Sequence, residues 1–147
     1  MNIFSSQNIK IFLPNKDSLN DATSYYISLI EKAINRAGGS SIRCKKISEV
    51  SKKDVVIITE LGVFIKYFFF FLVKRIQLVH WVQGISPEEA KMHEPNIFLH
   101  YIRTIAEILI LKKSKKIFLG SQATLKHFEN KYKINYFAGF VTVVELV

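Results

Sequence analysis

Asp54-Val55-Val56-Ile57-Ile58-Thr59 decides the fold. Four consecutive Val and Ile residues, with no polar side chain at alternate positions, fit a strand covered on both faces, as in a parallel sheet flanked by helices. Outward from this run, the apolar blocks alternate between two types. Toward the N-terminus, Ile9-Lys10-Ile11-Phe12-Leu13 is short, apolar and closed by Pro14, and reads as a first strand. Asn15 to Thr23 is polar and loop-like. From Asp21 to Ala37, Tyr26, Ile27, Ile30, Ala33, Ile34 and Ala37 recur at one-face helical spacing, and Gly38-Gly39 closes the helix because glycine reaches the left-handed conformation without strain. Ile42 to Ile47 reads as a second strand.

Toward the C-terminus, Gly62 to Arg75 reads as a helix, although its aromatic run has β character, and Ile76 to Val82 reads as a strand. Ser86-Pro87-Glu88-Glu89 is a helix start, with a capping serine, a proline suited to the first turn and two acids at the positive helix end. Ile97 to Lys113 is a longer helix. Ile117-Phe118-Leu119 is a strand, Ser121 caps a helix from Gln122 to about Tyr132, and Phe140 to Val147 reads as a last strand. Alternation of this kind predicts one α/β domain over residues 1–147, a Rossmann-like three-layer α/β/α arrangement with a mostly parallel sheet.

Composition supports a packed domain: 147 residues, 49% hydrophobic, 22% charged, with 12 Phe but only 3 Pro. The formal net charge is +9 and the pI about 9.7. Such an excess suits nucleic acid, an anionic membrane face or a phosphorylated ligand. The 21 Lys and Arg are mostly scattered and no RNA- or DNA-reading motif occurs, so nucleic acid is not expected. A single cysteine, Cys44, precludes an internal disulfide and fits a reducing compartment. The N-terminus lacks the basic and apolar stretches of a secretory signal. No stretch reaches the roughly 20 apolar residues of a membrane span: Lys66 interrupts Leu61 to Val73, and Ile97 to Leu111 carries His100, Arg103 and Glu107, so both read as buried or interfacial segments.

Ligands of open α/β sheets bind beyond the carboxyl ends of strands. That rule selects Pro14-Asn15-Lys16, Glu60-Leu61-Gly62, Gln83-Gly84-Ile85 and Gly120-Ser121-Gln122, with Asn15, Lys16 and Ser121 as candidate cleft residues. The third place carries the most chemistry. Gly84 allows close backbone approach, Gln83 offers a donor and an acceptor suited to sugar hydroxyls, and Glu88 and Glu89 are able to accept hydroxyl protons. The plainer reading of the same residues is a loop entering an N-capped helix with dipole-matched acids. His93, in a polar loop near the two glutamates, joins this site or is simply a surface histidine.

His80, His93, His100 and His127 have no metal-ligand spacing, and no metal site is expected. His80, inside a strand pattern, reads as a core or rim residue. No nucleophile elbow, dinucleotide fingerprint, P-loop or Asp-x-Asp pair occurs. Lys112-Lys113-Ser114-Lys115-Lys116 is a basic cluster after an apolar helix. It is either a solvated helix end or, with Lys66, Lys74, Arg75 and Phe68 to Phe71, part of a peripheral membrane patch. The aromatic run by itself reads as core.

Trp81, Gln83, Gly84, Pro87, Glu88 and Glu89 form W-x-Q-G-x-x-P-E-E. The helix with Arg103 and Glu107 follows, then a strand, Ser121 and a helix ending at Glu129, Lys131 and Tyr132. Over Ile76 to Tyr132 this order resembles the N-terminal, acceptor-side domain of GT-B glycosyltransferases of the family 4 type. The resemblance implies two Rossmann-like lobes, with the acceptor on the N-terminal lobe and a nucleotide-sugar on the C-terminal one. Gln83, Gly84, Glu88, Glu89 and His93 would then line the acceptor side. It also implies a role in cell-surface polysaccharide or lipid-linked glycan synthesis, at the cytoplasmic face of the inner membrane.

Three departures accompany the resemblance. The loop from Pro14 to Ser18 lacks the glycines of many relatives. No two glutamates have the E-x7-E spacing that relatives carry in the donor lobe. After Tyr132 relatives continue into a linker and a second domain, whereas this sequence runs through Ile134-Asn135-Tyr136-Phe137 into Phe140-Val141-Thr142-Val143-Val144. The expectation is therefore an acceptor lobe without its donor lobe, holding no cofactor itself and transferring sugar only with a partner lobe. The alternative is a non-enzymatic basic α/β module that binds a membrane surface or a partner protein.

Overall fold

All four side chains of Val55–Ile58 are buried, as a strand covered on both faces requires. This strand is β3 of a computed structural model that describes residues 8–14, 21–82, 92–93, 96–133 and the backbone of 141–143. The other elements are β1 (Ile9–Phe12), α1 (Asp21–Arg36), β2 (Ser41–Cys44), α2 (Leu61–Lys66), α3 (Phe68–Val73), β4 (Gln77–Val82), α4 (Ile97–Lys113), β5 (Lys116–Leu119), α5 (Gln122–Tyr132) and β6 (Val141–Val143). The strand order is β2-β1-β3-β4-β5-β6, and the pairings of β1 with β2 and β3, of β4 with β5 and of β5 with β6 are parallel. The architecture is the expected Rossmann-like α/β fold, an all-parallel sheet flanked by helices.

The chain divides into two compact units, residues 1–57 with 70–77 and residues 58–69 with 78–147. In the first, β1 lies between β2 and β3, with Ile9 opposite Ser41 on one side and Val55 on the other. The i, i+3, i+7 spacing of Ile27, Ile30 and Ile34 puts all three on one face of α1, where all are buried. Removing each such side chain from water contributes about 1.5–3 kcal/mol. Gly38, at φ 78, ends this helix as expected. Phe12 and Phe71 meet edge to face at 6.2 Å. The buried Asp54 carboxylate accepts the Ser51 N–H at 2.7 Å and pairs with Lys10 at 3.1 Å, so its charge is compensated.

In the second unit, Val79 to Val82 of β4 run beside Lys116 to Leu119 of β5. Val82, Leu111, Ile117, Leu119 and Phe128 form a core against which Leu125 and Tyr132 pack. Trp81 stacks on Phe118 with ring centroids 5.2 Å apart. α2 packs against α4.

Two elements differ from expectation by more than a residue at an end. The single helix predicted over Gly62 to Arg75 is two, α2 and α3, interrupted at Tyr67 (φ −110, ψ 17). Aromatic side chains lose rotamer freedom in helices, and the break falls at the first of five consecutive aromatics. The second strand is shorter than Ile42 to Ile47. The Glu49 carboxylate accepts the N–H groups of Lys45 and Lys46, each at 3.0 Å, and turns the chain into a 3-10 turn at Ile47–Glu49.

Candidate functional site

β4 ends at Val82, one residue before the Gln83-Gly84 string, so that string begins at the carboxyl end of a buried parallel strand. Gln83, Gly84, Glu88 and Glu89, like Asn15 and Lys16, lie outside the described residues, as does the helix start at Ser86. His93 is described and exposed.

Ser121 stands at the carboxyl end of β5, where the strand-end rule places it. Its hydroxyl accepts the Thr124 N–H at 3.1 Å and lies 2.9 Å from the Thr124 hydroxyl, so it caps α5. A Cβ built on the neighbouring Gly120 would meet the Val82 carbonyl oxygen at 3.9 Å, an ordinary contact. Thr59, after β3, is buried, and Glu60, half-buried, precedes α2 without capping it through its side chain.

His80 is fully buried in β4, and its Nδ1 donates to the Ile58 carbonyl at 3.2 Å. Burial pushes its pKa down to about 4 against an opposing pull from that hydrogen bond. The ring is therefore neutral at neutral pH, a satisfied core histidine as its strand position suggested. Among the described residues, no group of three His, Cys, Asp or Glu side chains is placed to hold a metal ion.

The charged centre of the second unit is Glu107, on α4, only 3% exposed. Tyr132 donates its hydroxyl to this carboxylate, Lys131 approaches it at 3.5 Å, and the Lys131 ammonium lies 4.8 Å from the Tyr132 ring centroid. Beside this cluster is a cleft of about 330 Å³ with an apolar wall of Ile108, Leu111 and Tyr132, and with Lys112, Lys131 and Lys133 around it. Sequence reading did not foresee this contact. The available signal was that Glu107 is the one acid in a largely apolar 17-residue helix, where an unpartnered carboxylate would be costly to bury.

The four lysines of the basic cluster differ. Lys112 and Lys113 occupy the last turn of α4 and are exposed, where their charge also suits the helix end. Lys115 is exposed, and its backbone N–H donates to the Leu78 carbonyl at 2.7 Å. Lys116 is half-buried as the first residue of β5. The aromatic run divides as well: Phe71 is fully buried, whereas Phe69 is 79% exposed. Phe64, Ile65, Phe68 and Phe69 face Ile102, Ile105, Ala106 and Leu109 across an open groove of about 180 Å³. No helix among the described residues is long and apolar enough to cross a membrane.

No protein-family model matches the chain, and no curated protein matches it.

Proposed function

We propose that this chain is the acceptor-binding lobe of a glycosyltransferase that builds cell-surface polysaccharide or lipid-linked glycan. The observation that supports the reading is that β4, a buried parallel strand, ends at Val82, the residue that Gln83-Gly84-x-x-Pro87-Glu88-Glu89 follows in sequence. Ligands of open α/β sheets bind at such ends. The amide of Gln83 and the carboxylates of Glu88 and Glu89 offer the mixed donors and acceptors that sugar hydroxyls need, and Gly84 leaves room for close approach of the backbone.

On this reading the lobe orients an acceptor hydroxyl toward a nucleotide-sugar held by a second, donor-binding lobe. Gln83, Glu88, Glu89 and His93 contact the acceptor. Work on such acceptors belongs at the cytoplasmic face of the inner membrane. The resemblance of Ile76 to Tyr132 to family 4 GT-B enzymes points the same way.

The test is acceptor binding by the full chain, on a glycan array and with polyprenyl-diphosphate-linked sugars in detergent micelles. Saturable binding is expected, weakened at least about tenfold by Gln83→Ala or by Glu88→Gln with Glu89→Gln, a loss equivalent to one or two hydrogen bonds. No turnover of nucleotide-sugars by the isolated chain is expected. A folded chain that binds no glycan in either format would refute the reading. Robust sugar transfer by the chain alone would refute the requirement for a second lobe.

A further inference from the structure

The outer face of α4 is apolar as well as the inner one. Ala106, Ile110 and Leu111 are buried with Glu107. On the other side, Ile97 is 82% exposed, Phe98 69% and Tyr101 63%, and Ile105 and Leu109 continue the stripe at 39% and 37%. The 97, 101, 105, 109 spacing aligns these residues on one helix face over roughly 18 Å. Phe69, across the groove from Ile105, extends the apolar surface beyond the helix. An exposed apolar patch of this extent marks an interaction surface.

Charge selects the occupant. The one acid of α4, Glu107, is turned inward onto Tyr132 and Lys131, so no carboxylate of this helix faces outward. The stripe ends in exposed Lys112 and Lys113, and exposed Lys66 follows Ile65 of the groove. The chain as a whole carries +9. An apolar stripe bordered by ammonium groups is complementary to an anionic lipid surface, where each such group contributes about 1 kcal/mol through the surface potential. A second copy of the same chain would instead set cations against cations.

We propose that the Ile97–Leu109 face of α4, with Phe69, Lys66, Lys112 and Lys113, docks the protein flat on an anionic membrane. Phe98 and Tyr101 enter the interface between headgroups and acyl chains, and the lysines contact lipid phosphates. The helix lies in the plane of the interface. It does not span, because its inner face is held in the core of the second unit by Ile110, Leu111 and the Glu107–Tyr132 bond. The proposal does not depend on the acceptor-lobe reading: a membrane-docked module need not bind glycan.

The test is co-sedimentation of the full chain with phosphatidylglycerol-containing vesicles and with pure phosphatidylcholine vesicles, at low and high salt. Binding to the anionic vesicles at low salt is expected, with weak binding to neutral ones. Lys112→Glu with Lys113→Glu is expected to weaken it at least about tenfold, from two cationic contacts removed and two repulsive ones added. Phe98→Ser with Tyr101→Ser changes exposed side chains, so the fold is retained, as circular dichroism would verify, and binding is again expected to fall. Absence of binding at low salt would overturn the proposal, as would binding that the Phe98 and Tyr101 substitutions leave unchanged. A concentration-dependent dimer in sedimentation equilibrium that those substitutions abolish would overturn it in favour of a self-association face.

Discussion

Tyr132, the last residue of α5, gives its hydroxyl hydrogen to the Glu107 carboxylate in the middle of α4. The bond ties the two helices that flank β5 in sequence, and with Lys131 it helps to compensate a carboxylate that is only 3% exposed. Tyr132→Phe removes the donor and leaves the acceptor buried. A loss of about 1.5–3 kcal/mol is expected, the worth of one hydrogen bond to a charged group. Lys131 is farther, at 3.5 Å, and its side chain is 21% exposed, so Lys131→Ala is expected to cost less than about 1 kcal/mol after solvent screening. Urea unfolding of the two variants tests the ranking; equal losses would mean that the ammonium contributes as much as the hydroxyl.

The two helices start on different caps. Asn96 accepts the N–H groups of Phe98 and Leu99 at 3.0 and 3.3 Å, and Ser121 accepts that of Thr124 at 3.1 Å. Asn96→Ala and Ser121→Ala are each expected to destabilise by about 0.5–2 kcal/mol, with Asn96→Gly nearer neutral because glycine is itself a fair cap. Thermal unfolding followed by circular dichroism reads both. If Ser121→Ala leaves the melting temperature unchanged, the serine hydroxyl is not acting as a cap and is free for a ligand at the end of β5.

The sequence made the long helices legible because their ends carry local chemistry. α4 runs Ile97–Lys113 as the periodicity predicts, and α5 begins after the Ser121 cap and ends at Tyr132. β3 was legible because an uninterrupted Val and Ile run has few uses other than a strand buried on both sides. What was not legible depends on tertiary partners. Nothing local states that Glu107 meets Tyr132, 25 residues on, nor that Phe69 faces solvent while Phe71 is buried. The outward stripe of α4 was legible only as one of two alternatives, a buried or an interfacial segment: Ile97, Tyr101, Ile105 and Leu109 have core spacing, and only the packing shows that a different face of the helix is inside. For the candidate site, Ser121 stands at its predicted strand end, and Val82 ends the strand that the Gln83 string follows.

Cys44 is 4% exposed, at the end of β2. Burial raises its pKa to about 11, with the negative charge of Glu49 adding to the shift. The thiolate is the reactive form, so alkylation by iodoacetamide at neutral pH is expected to be far slower in the native protein than in denaturant. Mass spectrometry of the time course measures this. Rapid native alkylation would show that the β2 edge opens readily.

Acid stability should fall in two windows, one for each perturbed group. His80 takes up a proton near 6.5 in the unfolded chain but only near 4 in the folded protein, where burial opposes its charge. The unfolded state therefore binds more protons between those values, and the stability present above about 6.5 is lost as pH falls toward about 4, at no more than about 1.4 kcal/mol per pH unit. Asp54 acts lower. Burial alone would raise its pKa, but the Ser51 N–H and the Lys10 ammonium outweigh that effect and hold it below its ordinary 3.8. Its contribution is intact above the ordinary carboxylate range and disappears as pH falls below it. His80→Gln should flatten the upper window and leave the lower, while Asp54→Asn should do the reverse. Urea midpoints measured from neutral pH to acid separate the two. A wild-type midpoint that stays constant from neutral pH to about 5 would show that His80 is protonated in the folded state, with its ring open to water or to an acidic partner.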